Sequence, residues 1–252
     1  MANELLYVPG IGSRYYYNAT TAGTVTLDKI GSGSFSSAVE NGHPTITFNG
    51  KAFQFSIGSG MSGSHTIEYW MTLTGWSNTG TSHQWGYIGS RSVSCEVWRP
   101  KPISATNNVN FQLDFLPYTD PEDTSVTLAD QTTPVHVAEV FDTSDSNYQL
   151  KLYVNGTKVK EHYFQMPWAN TIVLGGSVDA YGATALADAF TGKISEFLVS
   201  TGAKYTANFT PARYTVDKSA LTKAGNPVEN FTAPEISYLE VDDIPYKIVV
   251  AS

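Results

Sequence analysis

The run Tyr148-Gln-Leu-Lys-Leu-Tyr-Val-Asn-Gly-Thr-Lys-Val-Lys160 constrains this chain more than any other stretch. Leu150, Leu152 and Val154 alternate with Lys151 and Tyr153, a period of two that puts apolar side chains on one face of a strand and polar ones on the other. Asn155-Gly156 then offers two residues that tolerate positive φ, as a type I′ turn requires, and Thr157–Lys160 returns as the second strand. A hairpin with one apolar face must be covered by a second layer, so this segment alone commits the chain to a packed sheet.

The same grammar recurs along the sequence. Thr45–Phe48 and Lys51–Phe55 flank Asn49-Gly50, which reads as another I′ hairpin, and a Gly/Ser loop follows at 58–64. In Thr66–Leu73 the residues Ile67, Tyr69, Met71 and Leu73 share a face. Gln84–Ile88, Ser92–Trp98, Asn110–Phe115 and Thr171–Leu174 read as further strands, interrupted by the acidic, Pro-bearing loop Tyr118–Asp123. Gly192–Val199 breaks the alternation: Ile194, Phe197, Leu198 and Val199 cannot share one face unless the strand carries a bulge. Only Ala183–Ala189 suggests a helical turn. Many evenly spaced strands in a chain of 252 residues indicate one all-β sandwich or barrel.

Composition narrows the function classes. Charged residues make up 15% of the chain and the formal net charge is -8, with no Lys/Arg cluster larger than Arg99-Pro-Lys101, so a nucleic-acid partner is not expected. Cys95 is the single cysteine, which excludes an intrachain disulfide and a cysteine-based zinc site; it is expected as a buried apolar filler. The first residues lack the basic-then-apolar pattern of a secretory signal, and no apolar run approaches a membrane span, so no membrane association is expected.

Three segments, in order, resemble the concanavalin A-like/laminin-G-like jelly-roll family. Phe48-Asn-Gly50 with Thr66-Ile-Glu-Tyr-Trp70 is similar to the family's opening, His65 standing where an aromatic is usual. Val135–Val140 leading into Leu150–Gly156 is similar to its middle, without the customary Trp. Phe190–Pro211 resembles a closing signature frequent in bacteriophage structural proteins that carry this domain. The resemblance implies an all-β jelly-roll β-sandwich at 44–211, preceded by an N-terminal arm and lead-in at 1–43 and followed by a C-terminal extension at 212–252. It also implies a non-catalytic virion structural protein, a capsid decoration (cement) or tail-associated protein assembled in the host cytoplasm. Its partners would be major capsid or tail proteins or further copies of itself. Within the closing motif, Gly202 is expected to supply a left-handed turn that drops Tyr205 and Phe209 onto the sandwich edge.

Candidate chemistry is sparse. Polysaccharide-cleaving relatives carry paired carboxylates on one strand, whereas here Glu68 and Glu196 stand apart and read as sheet-surface carboxylates, so no catalytic residue is assigned. The five histidines show no ligand spacing, and no cofactor is expected. Calcium is admitted only through acidic loops: Asp120, Glu122 and Asp123 in one, Asp142 and Asp145 in another, and Asp179 and Asp188 flanking a third. Trp76, Trp85, Tyr87 and Trp98 form the candidate platform for the alternative function, a carbohydrate-binding adhesin module that recognises host-surface glycans by stacking. Ile236, Tyr238, Leu239, Tyr246 and Ile248 are the candidate assembly contacts, strand-capable residues suited to β-addition.

Overall fold

A computed structural model of the chain describes residues 4–40, 43–61, 63–72, 87–90, 93–96, 99–102, 107–113, 122–130, 132–147, 149–163, 169–178, 186–189, 191–213, 221–225, 231–232, 237–241 and 244–248, several of these strands by backbone only. The fold is an all-β sandwich. Its larger sheet runs, from one edge, through Thr157–His162, Leu150–Val154, Val135–Phe141, His65–Thr72, Thr191–Thr201, Glu4–Val8, Tyr15–Tyr17 and Thr222–Ala224. The facing sheet orders Val25–Ile30, Ala52–Met61, Ala169–Leu174, Tyr87–Ser90 and Val93–Glu96. Both are antiparallel along these paths, which suits strands with one face in the core and one outside.

Alternation decides what enters the core. Ile67, Tyr69 and Met71, then Val135 and Val137, then Leu150, Leu152 and Val154 all point inward from the larger sheet, where they meet Phe53, Phe55, Ile172 and Leu174 of the other. Phe48, Phe53 and Phe35 interlock edge to face, with ring centroids 5.3 Å and 4.7 Å apart. Val109 and Phe111 join the same core from the three-stranded sheet of Arg99–Pro102, Asn108–Leu113 and Glu122–Thr127, and Leu128 joins it just after the last of these strands.

The Asn155-Gly156 turn has positive φ at both residues, 48° and 75°, as a I′ hairpin demands. Asn49-Gly50 does not make the second hairpin. His43–Asn49 pairs with Ser34–Glu40 and Thr191–Thr201 in the larger sheet, whereas Ala52–Met61 pairs with Val25–Ile30 and Ala169–Leu174 in the other. Only Gly50 has positive φ, 71°, and the chain crosses between layers there because Phe48 and Phe53 must enter one core from opposite sides. The 58–64 loop is shorter than expected, since strand structure continues to Met61. Leu186–Ala189 is a strand paired with Gly176–Val178 rather than a helical turn, and the one α-helical turn among the described residues is Ala19–Ala22, capped by the Asn18 side chain.

Parts of the flanking segments are strands too. Leu6 and Val8 are buried, and Glu4–Val8 pairs with Thr191–Thr201. Thr222–Ala224 extends the larger sheet beside Tyr15–Tyr17, and Phe231–Thr232 pairs parallel with Ser37–Ala38. Ser237–Val241, with Tyr238 and Leu239, and Ile244–Ile248, with Tyr246, pair with each other as a hairpin; Ile236 lies outside the described residues.

Two predictions follow from these placements. At Gly156 a Cβ would stand 1.9 Å from the Phe209 carbonyl oxygen, and φ is already positive. Gly156→Ala is therefore expected to destabilise the fold by at least about 2 kcal/mol in denaturant titration. His65 is buried and stacked on Phe141 at 4.5 Å, where burial pulls its imidazole down to about 4 from 6.5. The unfolded chain then binds a proton that the folded chain refuses, so this contribution to stability is complete above about pH 6.5 and is lost as pH falls toward about 4. His65→Phe keeps the stack and is expected to flatten the fall in melting temperature between those two pH values.

Candidate functional site

The outer face of the larger sheet, away from the core, carries Thr66, Glu68, Trp70 and Thr72 from one strand and His136, Ala138 and Val140 from the next. Much of it is covered by Gly202–Arg213, which follows the strand Thr191–Thr201 and doubles back over the sheet. Gly202, with φ of 88°, makes the reversal. The Thr66 hydroxyl donates to the Gly202 carbonyl at 2.9 Å and accepts from the Lys204 amide at 3.0 Å. Tyr205 and Phe209 stack at 3.6 Å and pack on Ala138, Val140 and Tyr153, toward the edge of the sheet formed by Thr157–His162. The Phe209 amide donates to the Gly156 carbonyl at 2.9 Å, tying the segment to the hairpin turn.

Glu68, expected as a surface carboxylate, lies fully buried beneath this segment. It accepts from the Tyr205 hydroxyl at 2.7 Å, pairs with the Lys204 ammonium, and lies 3.4 Å from His136 Nε2. Burial pushes its carboxyl up, but the His136 hydrogen bond, the Lys204 charge and the Tyr205 hydroxyl outweigh that and hold it below the usual carboxylate range. Burial, and then the Glu68 charge, raise the Tyr205 hydroxyl.

Glu196 is the second buried carboxylate and the more unusual one. Ser195 faces Trp70 and Leu198 faces Glu68, so Glu196 and Phe197 together oppose Tyr69: the bulge that the broken alternation required. Glu196 takes φ of 53°, the left-handed region that a side chain enters only at a cost. The bulge sits where the strand changes partner on its other flank, from His43–Asn49 to Glu4–Val8. There the carboxylate lies 3.1 Å from His43 Nδ1 and 3.4 Å from Arg213 Nη1. Arg213 also donates to the Ser195 hydroxyl at 2.9 Å, and its guanidinium lies 4.1 Å from the centre of the Trp70 ring.

These groups border a shallow cleft lined among others by Glu40, Trp70, Thr72, Lys193, Ser195 and Arg213. Lys193 Nζ and Glu40 Oε1 pair at 2.6 Å on its wall, about one quarter and one third exposed. A half-buried indole, a guanidinium laid across it, and a partly exposed carboxylate–ammonium pair can hold a polar ligand with CH faces. None of this was assigned from sequence except Glu196; the signal available was the lost alternation at 194–199, which marks a place where a side chain is re-aimed.

The side chains singled out for stacking lie outside those described. Trp76, Trp85 and Trp98 lie outside the described residues, and Tyr87 is described by backbone only, in the strand Tyr87–Ser90 of the opposite sheet. Asp120 is likewise outside, while Glu122 and Asp123 belong to the strand Glu122–Thr127 rather than to a loop. In the second acidic loop the Lys151 ammonium sits 3.2 Å from Asp142 and 2.9 Å from Asp145, so a cation already stands between those carboxylates. Among the described residues no group of three His, Cys, Asp or Glu side chains is arranged to hold a metal ion. Cys95 is in the strand Val93–Glu96, known by backbone only.

No family model matches the sequence, and no curated protein does. Solved structures do match in fold. Domain 4 of AbnA, a GH43 extracellular arabinanase from Geobacillus stearothermophilus, solved with arabinotriose, superposes with a TM-score of 0.54 at 15% identity, over 80% of this chain and 94% of that domain. The binding domain of botulinum neurotoxin serotype D gives 0.52 at 11% identity over 80% of this chain, and that of serotype D/C VPI 5993 gives 0.51 at 12% over 81%. The chain spans about half the length of those toxin domains. The shared feature is the β-sandwich, and the two toxin structures are binding domains.

If Glu68 is the pin under the closing segment, Glu68→Ala strands Tyr205 and His136 without their acceptor and leaves Lys204 to rehydrate. A loss of about 3 kcal/mol is expected in denaturant titration, with faster tryptic cleavage at Lys204.

Proposed function

We propose that this chain is a non-catalytic carbohydrate-binding module of the concanavalin A/laminin-G-like kind, which engages an oligosaccharide on the outer face of its larger sheet. The observation that carries this reading is the cleft, where Trp70, the Arg213 guanidinium and the Glu40–Lys193 pair stand together at a partly open surface. Sugars present CH faces and dense hydroxyls, and sites for them combine an aromatic or planar surface with a few fixed donors and acceptors. The sandwich shared with an arabinanase domain solved with arabinotriose supports the same reading at the level of scaffold. The virion setting implied by the closing signature concerns where such a module is carried, and the binding reading does not depend on it.

Purified protein run through native gels containing soluble arabinan, galactan, β-glucan or polygalacturonate is expected to be retarded by at least one of them. Arabinotriose added in excess should reverse retardation by arabinan. Free migration through every polysaccharide would remove the proposal.

A further inference from the structure

The cleft carries an inference about its ligand, one that rests on the glycan-binding reading and deepens it. We propose that it is a subsite for a neutral sugar bearing a vicinal diol, with Glu40 and Lys193 reading the diol and Arg213, held by Glu196, forming the surface on which the ring rests.

Charge balance comes first. Two cations and two anions meet here as two pairs, Lys193 with Glu40 and Arg213 with Glu196. A carboxylated sugar would add a third anion and would have to draw Lys193 or Arg213 away from a carboxylate already in contact. A neutral polyol leaves both pairs standing. Each of its hydroxyls both donates and accepts, so adjacent hydroxyls can donate to the Glu40 carboxylate and accept from the Lys193 ammonium at once. These two groups, 2.6 Å apart and partly exposed, present an acceptor and a donor side by side.

Preorganisation comes second. Arg213 is fixed by the Ser195 hydroxyl, the Glu196 carboxylate and the Trp70 ring, so its guanidinium plane is set before any ligand arrives. The strained backbone at Glu196 fits that role, because a residue in an unfavourable region persists only where its surroundings determine it.

The test measures affinity by calorimetry for neutral arabinan and β-glucan and for polygalacturonate, using the wild type, Glu40→Ala and Lys193→Ala. A partly exposed ion pair contributes little to folding, so both variants should melt as the wild type does. Each is expected to bind the preferred neutral polysaccharide about tenfold more weakly, with wild-type affinity nearly independent of salt. Tighter binding to polygalacturonate would overturn the ligand class. Neutral binding that survives both substitutions and disappears on Trp76→Ala or Trp85→Ala would overturn the cleft while leaving the module reading intact. Binding to none of the polysaccharides would remove both.

Discussion

One strand has to satisfy three neighbours, and the molecule is arranged around how it does so. Thr191–Thr201 pairs along one flank with His65–Thr72, and on the other flank first with His43–Asn49 and then with Glu4–Val8. A regular strand cannot change partners midway while keeping Ile194, Phe197 and Val199 all in the core, because a period of two would turn one of them outward. The extra residue at Glu196 resolves the conflict by restoring the inward phase. Its consequence is a carboxylate thrown to the fork in the sheet, where Arg213 pairs with it and His43 lies within hydrogen-bond reach.

The outer face follows from the same strand. After Thr201 the chain reverses at Gly202 and covers a surface that alternation had left with Glu68 and His136 among Ala138 and Val140. Covering such a face desolvates a charge, which is tolerable only if the covering segment brings the compensating groups itself. Lys204 and the Tyr205 hydroxyl do this, and the stacked Tyr205 and Phe209 rings supply the apolar area. The closing segment therefore works as a second, thin layer of core on the side of the sheet that an ordinary sandwich leaves wet.

Local patterns in the sequence foretold what depends on local physics. The Asn155-Gly156 hairpin, the inward set Ile67, Tyr69 and Met71, the bulge near 196 and the Gly202 reversal were all legible, because each is decided within a few residues by backbone φ or side-chain period. Asn49-Gly50 was misleading for the opposite reason. Its turn propensity is real, but which sheet each flanking strand joins is decided by partners far along the chain, and no local signal reports that Ala52–Met61 would pair with Ala169–Leu174. The same blindness made Glu68 and Glu196 look like surface carboxylates. Their burial comes from a segment some 136 residues later in one case and from a fork of three strands in the other. The cleft was illegible altogether, since Glu40, Trp70, Lys193 and Arg213 share no spacing and meet only through sheet order.

Arg213 joins these two regions, being both the last anchor of the closing segment and a wall of the cleft. Its guanidinium lies over Trp70 at the end of a segment whose Lys204 and Tyr205 hold Glu68 and whose Tyr205 and Phe209 rings pack on the same face. The cleft therefore adjoins the buried Glu68 network, Trp70 and Glu68 being neighbours on the outer face of one strand. Such an arrangement costs stability locally, in a left-handed Glu196 and a desolvated Glu68, and returns a rigid planar surface beside fixed donors and acceptors. Rigidity of that kind matters most for ligands whose individual contacts are weak, because little affinity is then lost to ordering the site. A neutral sugar is such a ligand, and a strained, fully paired charge cluster is better suited to it than a flexible patch of unpaired charge would be.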